Sequence, residues 1–211
     1  MDKINQKLKE YIDKHILPIN QHNDDGHSIT HINYVLTRSL RFADMIADIN
    51  YDMVYTIAVF HDIGHHIDKD KHELVSAQML LDDQALKKFF SQEQLKIMAE
   101  AIIDHRANMK YQPRSIYGKI VASADRDTCI ETTLKRTHFY NMRHNSQYDL
   151  EMMIEDSRKE ILDRFSTDGY ARKSIYFVDL EFEKFANEIT DLANNKEKFF
   201  KEYILVNKID K

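Results

Sequence analysis

The chain has 211 residues, 43% of them hydrophobic, with 35 acidic against 30 basic side chains and a formal net charge of −5; this is globular composition, which excludes wholesale disorder, and its acidic balance disfavours a nucleic-acid coat, because phosphates require clustered Lys and Arg. Only four glycines and two prolines occur, too few for the tight turns of sheets, so the chain reads as long helices joined by short connections. The single cysteine, Cys129, cannot close an internal disulfide, and neither an apolar leader nor a run of roughly 18–20 apolar residues is present, so the expectation is a cytoplasmic protein.

In chain order, Ile4, Leu8, Tyr11, Ile12 and Ile16 recur at helical spacing, and Pro18 closes this first helix. Residues 21–27 are polar, contain Gly26 and read as a loop. A second helix is predicted from Ser28 to Ala47, with Ile32, Val35, Leu36, Leu40, Ala43 and Ile46 on one stripe. Asp52 is placed as the cap of a third helix that ends near Gly64. The charged stretch from His65 to His72 reads as a loop leading into a helix through Leu74, Ala77, Met79 and Leu80. Ser91 and Gln94 form a capping-box pattern ahead of Leu95, Met98, Ile102 and His105. Pro113 marks the next break, and Ser115 starts a helix carrying Val121, Ala122, Asp125 and Cys129. Two further helices are predicted, from Tyr148 to Phe165 and from Asp179 to Ile204, separated by a turn at Asp168-Gly169. No internal repeat, low-complexity tract or flexible linker interrupts the chain. The simplest organisation is a single all-α domain over residues 1–211, with additional C-terminal helices over 145–211 as an extension.

The helical period exposes polar groups on apolar faces. Val54, Ile57, Ala58 and His61 fall at i, i+3, i+4 and i+7, which puts His61 on a buried face. Gly118, Val121, Ala122, Asp125 and Cys129 share a face in the same way. Gly118 there allows a close helix approach, and Cys129 reads as a small buried hydrophobe. His31 borders the second helix's stripe one turn before Val35, and Asp62 follows His61 at a helix end. An ionised Asp that is buried requires a partner, a proton or a metal. Two imidazoles and two carboxylates from three helices suit a divalent ion such as Mn2+, Fe2+, Co2+, Ni2+ or Zn2+. Hydrogen-bonded core histidines and an Asp paired with Arg126 satisfy the same pattern, and periodicity leaves both readings open. His15, His22, His66, His72, His138 and His144 read as surface residues.

The pair His61-Asp62, within Val59-Phe60-His61-Asp62-Ile63-Gly64-His65, resembles the signature of the HD-domain superfamily of metal-dependent phosphohydrolases. That pattern is a first His, a His-Asp pair on a later helix, and a distant Asp. His31, in Thr30-His31-Ile32, matches the first, and Asp125, in Ala122-Ser123-Ala124-Asp125-Arg126, matches the last. Ala101-Ile102-Ile103-Asp104-His105-Arg106 is similar to a stretch common in the family. The resemblance implies an HD-domain-like helical bundle whose metal-binding core spans residues 26–130. The chain lacks the Glu-Asp pair of guanosine-alarmone hydrolases, and Gly169-Tyr170-Ala171 is not the Gly-Tyr-Pro element of cyclic-dinucleotide phosphodiesterases. It most resembles the small stand-alone bacterial HD phosphohydrolases. Glu-x-x-His pairs, the His-Glu-x-x-His helix, a Gly-rich phosphate loop and a Gly-x-Ser-x-Gly elbow are all absent.

The resemblance further implies that His31, His61, Asp62 and Asp125 hold a divalent metal ion, with Mn, Fe, Co, Ni, Zn and Mg all open. The implied reaction is attack of a metal-activated water on a phosphate ester or anhydride, in a nucleotide or related phosphorylated metabolite. Asp62 would help accept the water's proton. His65, one turn after His61, would protonate the leaving oxygen or bind phosphate, oriented by Asp68 or Asp70. His105 points inward, toward a phosphate or a second metal, and Lys69, Arg106 and Arg126 are candidate phosphate contacts. Two alternatives stand beside this: a phosphodiesterase or nuclease on single-stranded nucleic acid, disfavoured by the acidic balance, and a non-catalytic metal-bound sensor. The expected partner is the small phosphorylated metabolite, not nucleic acid or a membrane, and a homodimer through the C-terminal helices is the assembly considered.

Overall fold

A computed structural model of the chain describes residues 3–107 and 109–209, apart from the side chain of Asp25. The expectation of a leaderless amino terminus, and the ends of the 1–211 and 145–211 segments, fall partly outside these residues. Among them the regular elements are helices, and no strand occurs: α1 (Gln6–His15), α2 (Ile29–Ala43), α3 (Tyr51–Phe60), α4 (His72–Asp82), α5 (Gln92–Ile103), α6 (Ile116–Ala124), α7 (Ile130–His144), α8 (Leu150–Phe165), α9 (Tyr170–Lys173), α10 (Leu180–Asn194) and α11 (Lys196–Asn207). No helix among them is long and apolar enough to cross a membrane. The chain divides into two compact units, Met1–Asp125 and Arg126–Lys211.

The first unit is built around α3. Its residues from Met53 to Phe60 are apolar on nearly every face and all are buried, which makes α3 a central helix rather than an amphipathic one. Helices α1, α2, α4, α5 and α6 pack on it. Its cap is Asn50, whose side chain accepts from the Met53 N–H, and not Asp52. Asp52 sits in the first turn, and its carboxylate accepts from the Asn5 N–H at 2.7 Å. Helix α2 stops at Ala43, a turn before the expected Ala47, where the chain bends through Asp48 at φ 56°. The Ser91–Gln94 capping box forms, and Ser115 caps α6 through the Gly118 N–H.

Helix α6 ends at Ala124, because Asp125 leaves helical geometry at φ −81°, ψ 38°. The period therefore does not continue to Cys129, and the expectation that Cys129 is buried is corrected: it is the exposed residue before α7. The turn after α3 presses against α4 at Gly64. A Cβ there would lie 2.7 Å from Val75 Cβ and 2.8 Å from the Ser76 nitrogen, and the Gly64 N–H donates to Ser76 Oγ at 2.9 Å.

The second unit has a hydrophobic core of its own, with Phe165 and Phe185 edge to face at 5.1 Å and Phe182 and Phe199 beside them. Helix α7 has no counterpart in the sequence-based assignment. Its buried positions are Thr133, Leu134, Thr137 and Asn141, so it carries no apolar stripe. Asn141 instead donates to Ser157 Oγ on α8 at 3.1 Å. The helix predicted from Asp179 to Ile204 is two helices, since Asn195 closes α10 and caps α11 by accepting from the Lys198 N–H.

Candidate metal centre

Three histidines of the first unit are oriented by one local device. His61, at the end of α3, has Nδ1 2.8 Å from the Ala58 carbonyl. His105, just after α5, has Nδ1 2.6 Å from the Ile102 carbonyl. His72, opening α4, has Nδ1 3.1 Å from the Lys69 carbonyl. In each case the acceptor lies three residues back, so Nδ1–H donates and Nε2 presents a lone pair. His31, in the first turn of α2, brings its Nε2 to the same place.

Asp62 stands between these rings with 2% of its surface exposed. Its Oδ2 is 3.1 Å from His61 Nε2 and 3.4 Å from His31 Nε2. Its Oδ1 is 3.3 Å from His72 Nε2 and 3.5 Å from His105 Nε2. Asp125 Oδ1 completes the first side, 3.1 Å from His31 Nε2. Within each imidazole pair, His31 with His61 and His72 with His105, the Nε2 atoms are 3.4 Å apart. Two nitrogen lone pairs this close repel unless a proton or cation lies between them. These separations match the edges of a coordination shell with bonds of about 2.1 Å. Oδ1 of Asp62 is also buried without a hydrogen bond. The donor set thus fits one divalent ion at His31, His61 and Asp62, with Asp125 beside His31, and a second at Asp62, His72 and His105.

Residues 28–128, just under half of the chain, match the family model of the HD domain. This segment is an HD domain, the mark of the HD-domain superfamily. Most members of that superfamily are metal-dependent hydrolases. No curated protein and no solved structure matches the chain significantly. The HD segment contains all six residues of the two donor groups and begins directly after His27.

Charge in the HD centre follows from burial and these contacts. Burial opposes ionisation of Asp62, but the His61, His105 and His31 imidazoles outweigh it and hold the carboxyl well below the usual range. Burial likewise opposes protonation of His31, yet Asp125 and Asp62 prevail and push it up to about 9. His105 is raised against its burial by Asp62, whereas burial and neighbouring His105 lower His72. His65 is pushed down to about 4 by burial and then by His27.

A second group lies at the rim. Asp24 Oδ1 accepts from His27 Nδ1 at 2.7 Å, and its Oδ2 accepts from Lys69 Nζ at 3.0 Å. The His27 ring stacks on His65 at 3.8 Å and meets the His31 ring edge-on at 5.8 Å. Burial opposes the charge on Asp24, but His27 and Lys69 hold its carboxyl well below the usual range. His65 Nδ1 is 4.0 Å from Asp24 Oδ2, and the Lys69 ammonium already sits on that oxygen, so this group suits a third ion less than the two above. His65 Nδ1 is buried with no hydrogen-bond partner.

The HD centre therefore gathers His31, His61, Asp62, Asp125 and His105, with His65 and Lys69 beside it. It does not gather Asp68 and Asp70 as expected. Asp68 Oδ1 accepts from the Asp70 and Lys71 N–H groups at 3.0 and 3.1 Å, shaping the turn into α4, while the Asp70 carbonyl accepts from Arg106. The carboxylate nearest His65 is Asp24. Arg106 is paired with Glu73 at 3.3 Å. Arg126, a candidate phosphate contact, belongs to the second unit and is buried. His72, expected at the surface, is buried because it shares an inner face of α4 with Ser76 and Leu80. His138 is half-buried on the Tyr203 hydroxyl at 3.0 Å, and His15, His22, His66 and His144 are exposed. Sequence reasoning missed Asp24, His27 and His72. The signals were spacing: His27 lies one turn before His31, and His72, Ser76 and Leu80 repeat every four residues.

Proposed function

We propose that this HD protein is a dinuclear metal-dependent phosphohydrolase that cleaves a phosphate ester or anhydride in a nucleotide or related phosphorylated metabolite. The observation that supports this best is Asp62, which turns each of its carboxylate oxygens toward a separate imidazole pair. Divalent ions held by these residues would supply Lewis-acid polarisation of a phosphoryl group and would lower the pKa of a water. With Asp62, His31, His61 and Asp125 would hold one ion, and His72 and His105 would hold the other. Phosphoryl transfer gains mostly from such positioning and charge neutralisation. A carboxyl held as low as that of Asp62 is a weak base, so its part is to bind and orient rather than to store a proton.

His65, neutral at pH 7 with its pKa pushed down to about 4, offers a hydrogen bond to a phosphate oxygen more readily than a proton to the leaving group. Lys69, seated on Asp24, supplies positive charge for a non-reacting phosphate. We place the protein in the cytoplasm with a small metabolite as its partner, not nucleic acid or a membrane, and a homodimer is the assembly to check by light scattering.

The test is phosphate release from a panel of nucleotides and phosphomonoesters by Mn2+-loaded protein beside Asp62→Ala. Turnover that disappears in the variant supports the hydrolase, and the best panel member narrows the substrate. Two bound equivalents without turnover above the variant would overturn it in favour of phosphodiester substrates or a sensor.

A further inference from the structure

Arg38 is 3% exposed in the interior of the first unit, and nothing in the chemistry above uses it. It lies seven residues after His31 on α2, two turns along the same face. Its Nε donates to the Ala124 carbonyl at 3.0 Å and its Nη2 to the Ser123 carbonyl at 3.3 Å. These are the last residues of α6, both fully buried, and the final carbonyls of a helix have no partner within it. Many helices meet that need with a glycine in left-handed conformation just beyond the end. Here that neighbourhood is Asp125, at φ −81°, ψ 38°, which carries a ligand carboxylate instead. The guanidinium takes over the capping. The rings of Tyr34 and Phe42 lie against it, their centroids 5.2 and 5.6 Å from Cζ, and the Tyr34 ring also stacks near His31 at 6.4 Å.

We propose that Arg38 is the positioning residue for Asp125: it ties the end of α6 to the helix that carries His31 and so sets the 3.1 Å between His31 Nε2 and Asp125 Oδ1. One rigid helix presents both a metal-facing imidazole and, two turns on, the fork that fixes the opposing carboxylate. A planar guanidinium spans two successive carbonyls, which the single ammonium of lysine cannot do. The His72–His105 side is carried by α4 and the end of α5, neither of which contributes to this cap. Loss of Arg38 therefore weakens one side of the centre selectively.

This inference rests on the dinuclear reading above. The experiment is Mn2+ titration of the full metal-free chain, followed by the electron paramagnetic resonance signal of free Mn2+, for wild type, Arg38→Lys and Arg38→Met. Melting in chelator runs alongside. Wild type is expected to bind two equivalents. In Arg38→Met one equivalent weakens by about 10- to 100-fold, the range for residues that orient ligands, while the other keeps its affinity; Arg38→Lys falls between. Unchanged affinity for both equivalents in both variants overturns the role of Arg38 while leaving the dinuclear reading intact. Equal weakening of both, with a lower melting point in chelator, overturns it in favour of general core support. If Arg38→Met does not fold, Arg38→Lys, which keeps a cation in the core, decides between these outcomes. A wild type that binds no Mn2+ sinks the dinuclear reading itself, and the positioning role with it.

Discussion

His72 Nε2 lies 3.3 Å from Asp62 Oδ1, the carboxylate oxygen that is not shared with His31 and His61. This contact separates a mononuclear from a dinuclear centre. His72→Ala is expected to bind one metal equivalent fewer than wild type, measured by elemental analysis after desalting. On the proposed dinuclear function, a second ion would contribute several kcal/mol of charge stabilisation, so phosphate release should fall on the order of 100-fold or more. A variant that retains both equivalents would show that His72 is a buried histidine and no ligand.

Metal affinity should rise with pH. Without metal, Asp125 and Asp62 overcome the effect of burial and push His31 up to about 9. An imidazolium must lose its proton before it can ligate, so below that pKa each ion taken up on this side displaces about one proton. Apparent affinity there should climb about tenfold per pH unit and level off above about pH 9. Mn2+ titrations in two buffers of different ionisation heat read the released proton directly; a flat affinity profile would refute the linkage.

Gly64→Ala should destabilise the protein and disturb the same site. The added methyl would stand 2.7 Å from Val75 Cβ and 2.8 Å from the Ser76 backbone nitrogen, neither of which is the flexible end of a side chain. Overpacking of this kind costs about 1–3 kcal/mol, which at this chain length lowers the melting midpoint by several degrees. Because α4 carries His72, the displacement should also weaken the second equivalent of metal. Calorimetry on metal-free and metal-loaded protein separates the two effects.

Asp104, 1% exposed and directly before His105, accepts from the Arg114 backbone N–H at 2.8 Å and from its guanidinium at 2.7 Å. Asp104→Ala leaves that N–H without its acceptor, while the half-exposed guanidinium can rehydrate. The expected loss is about 2 kcal/mol in urea unfolding. His105→Ala should show the opposite balance, losing metal with a smaller loss of stability. Equal stability of Asp104→Ala and wild type would mean that the loop after α5 is held by other contacts.

The helices and several of their ends were legible because caps and periods are local. Ser91 with Gln94, Ser115 and Pro113 act within four residues of themselves, and each marks a boundary in the structure. His61 was legible on the same ground, since Val54, Ile57 and Ala58 share its face. Helix α7 was not, because its inner face is Thr133, Thr137 and Asn141, satisfied by hydrogen bonds that no apolar stripe announces. On α2 the predicted stripe included Leu36 and Leu40, which are half-buried, while Arg38 and Ser39 are buried in the interior. What lies opposite α2 there is the end of α6, whose carbonyls need donors more than methyl groups.

By itself the sequence determined an all-helical chain and the ordered set His31, His61, Asp62 and Asp125, because helical period and motif spacing are properties of neighbouring residues. Only the tertiary structure decided that His72 and His105 face the second oxygen of Asp62, that Asp24 rather than Asp68 or Asp70 approaches His65, and that Arg38 caps α6. The physical reason is the same in each case. Whether a polar side chain is buried and useful depends on the group packed against it, and that group comes from a distant part of the chain.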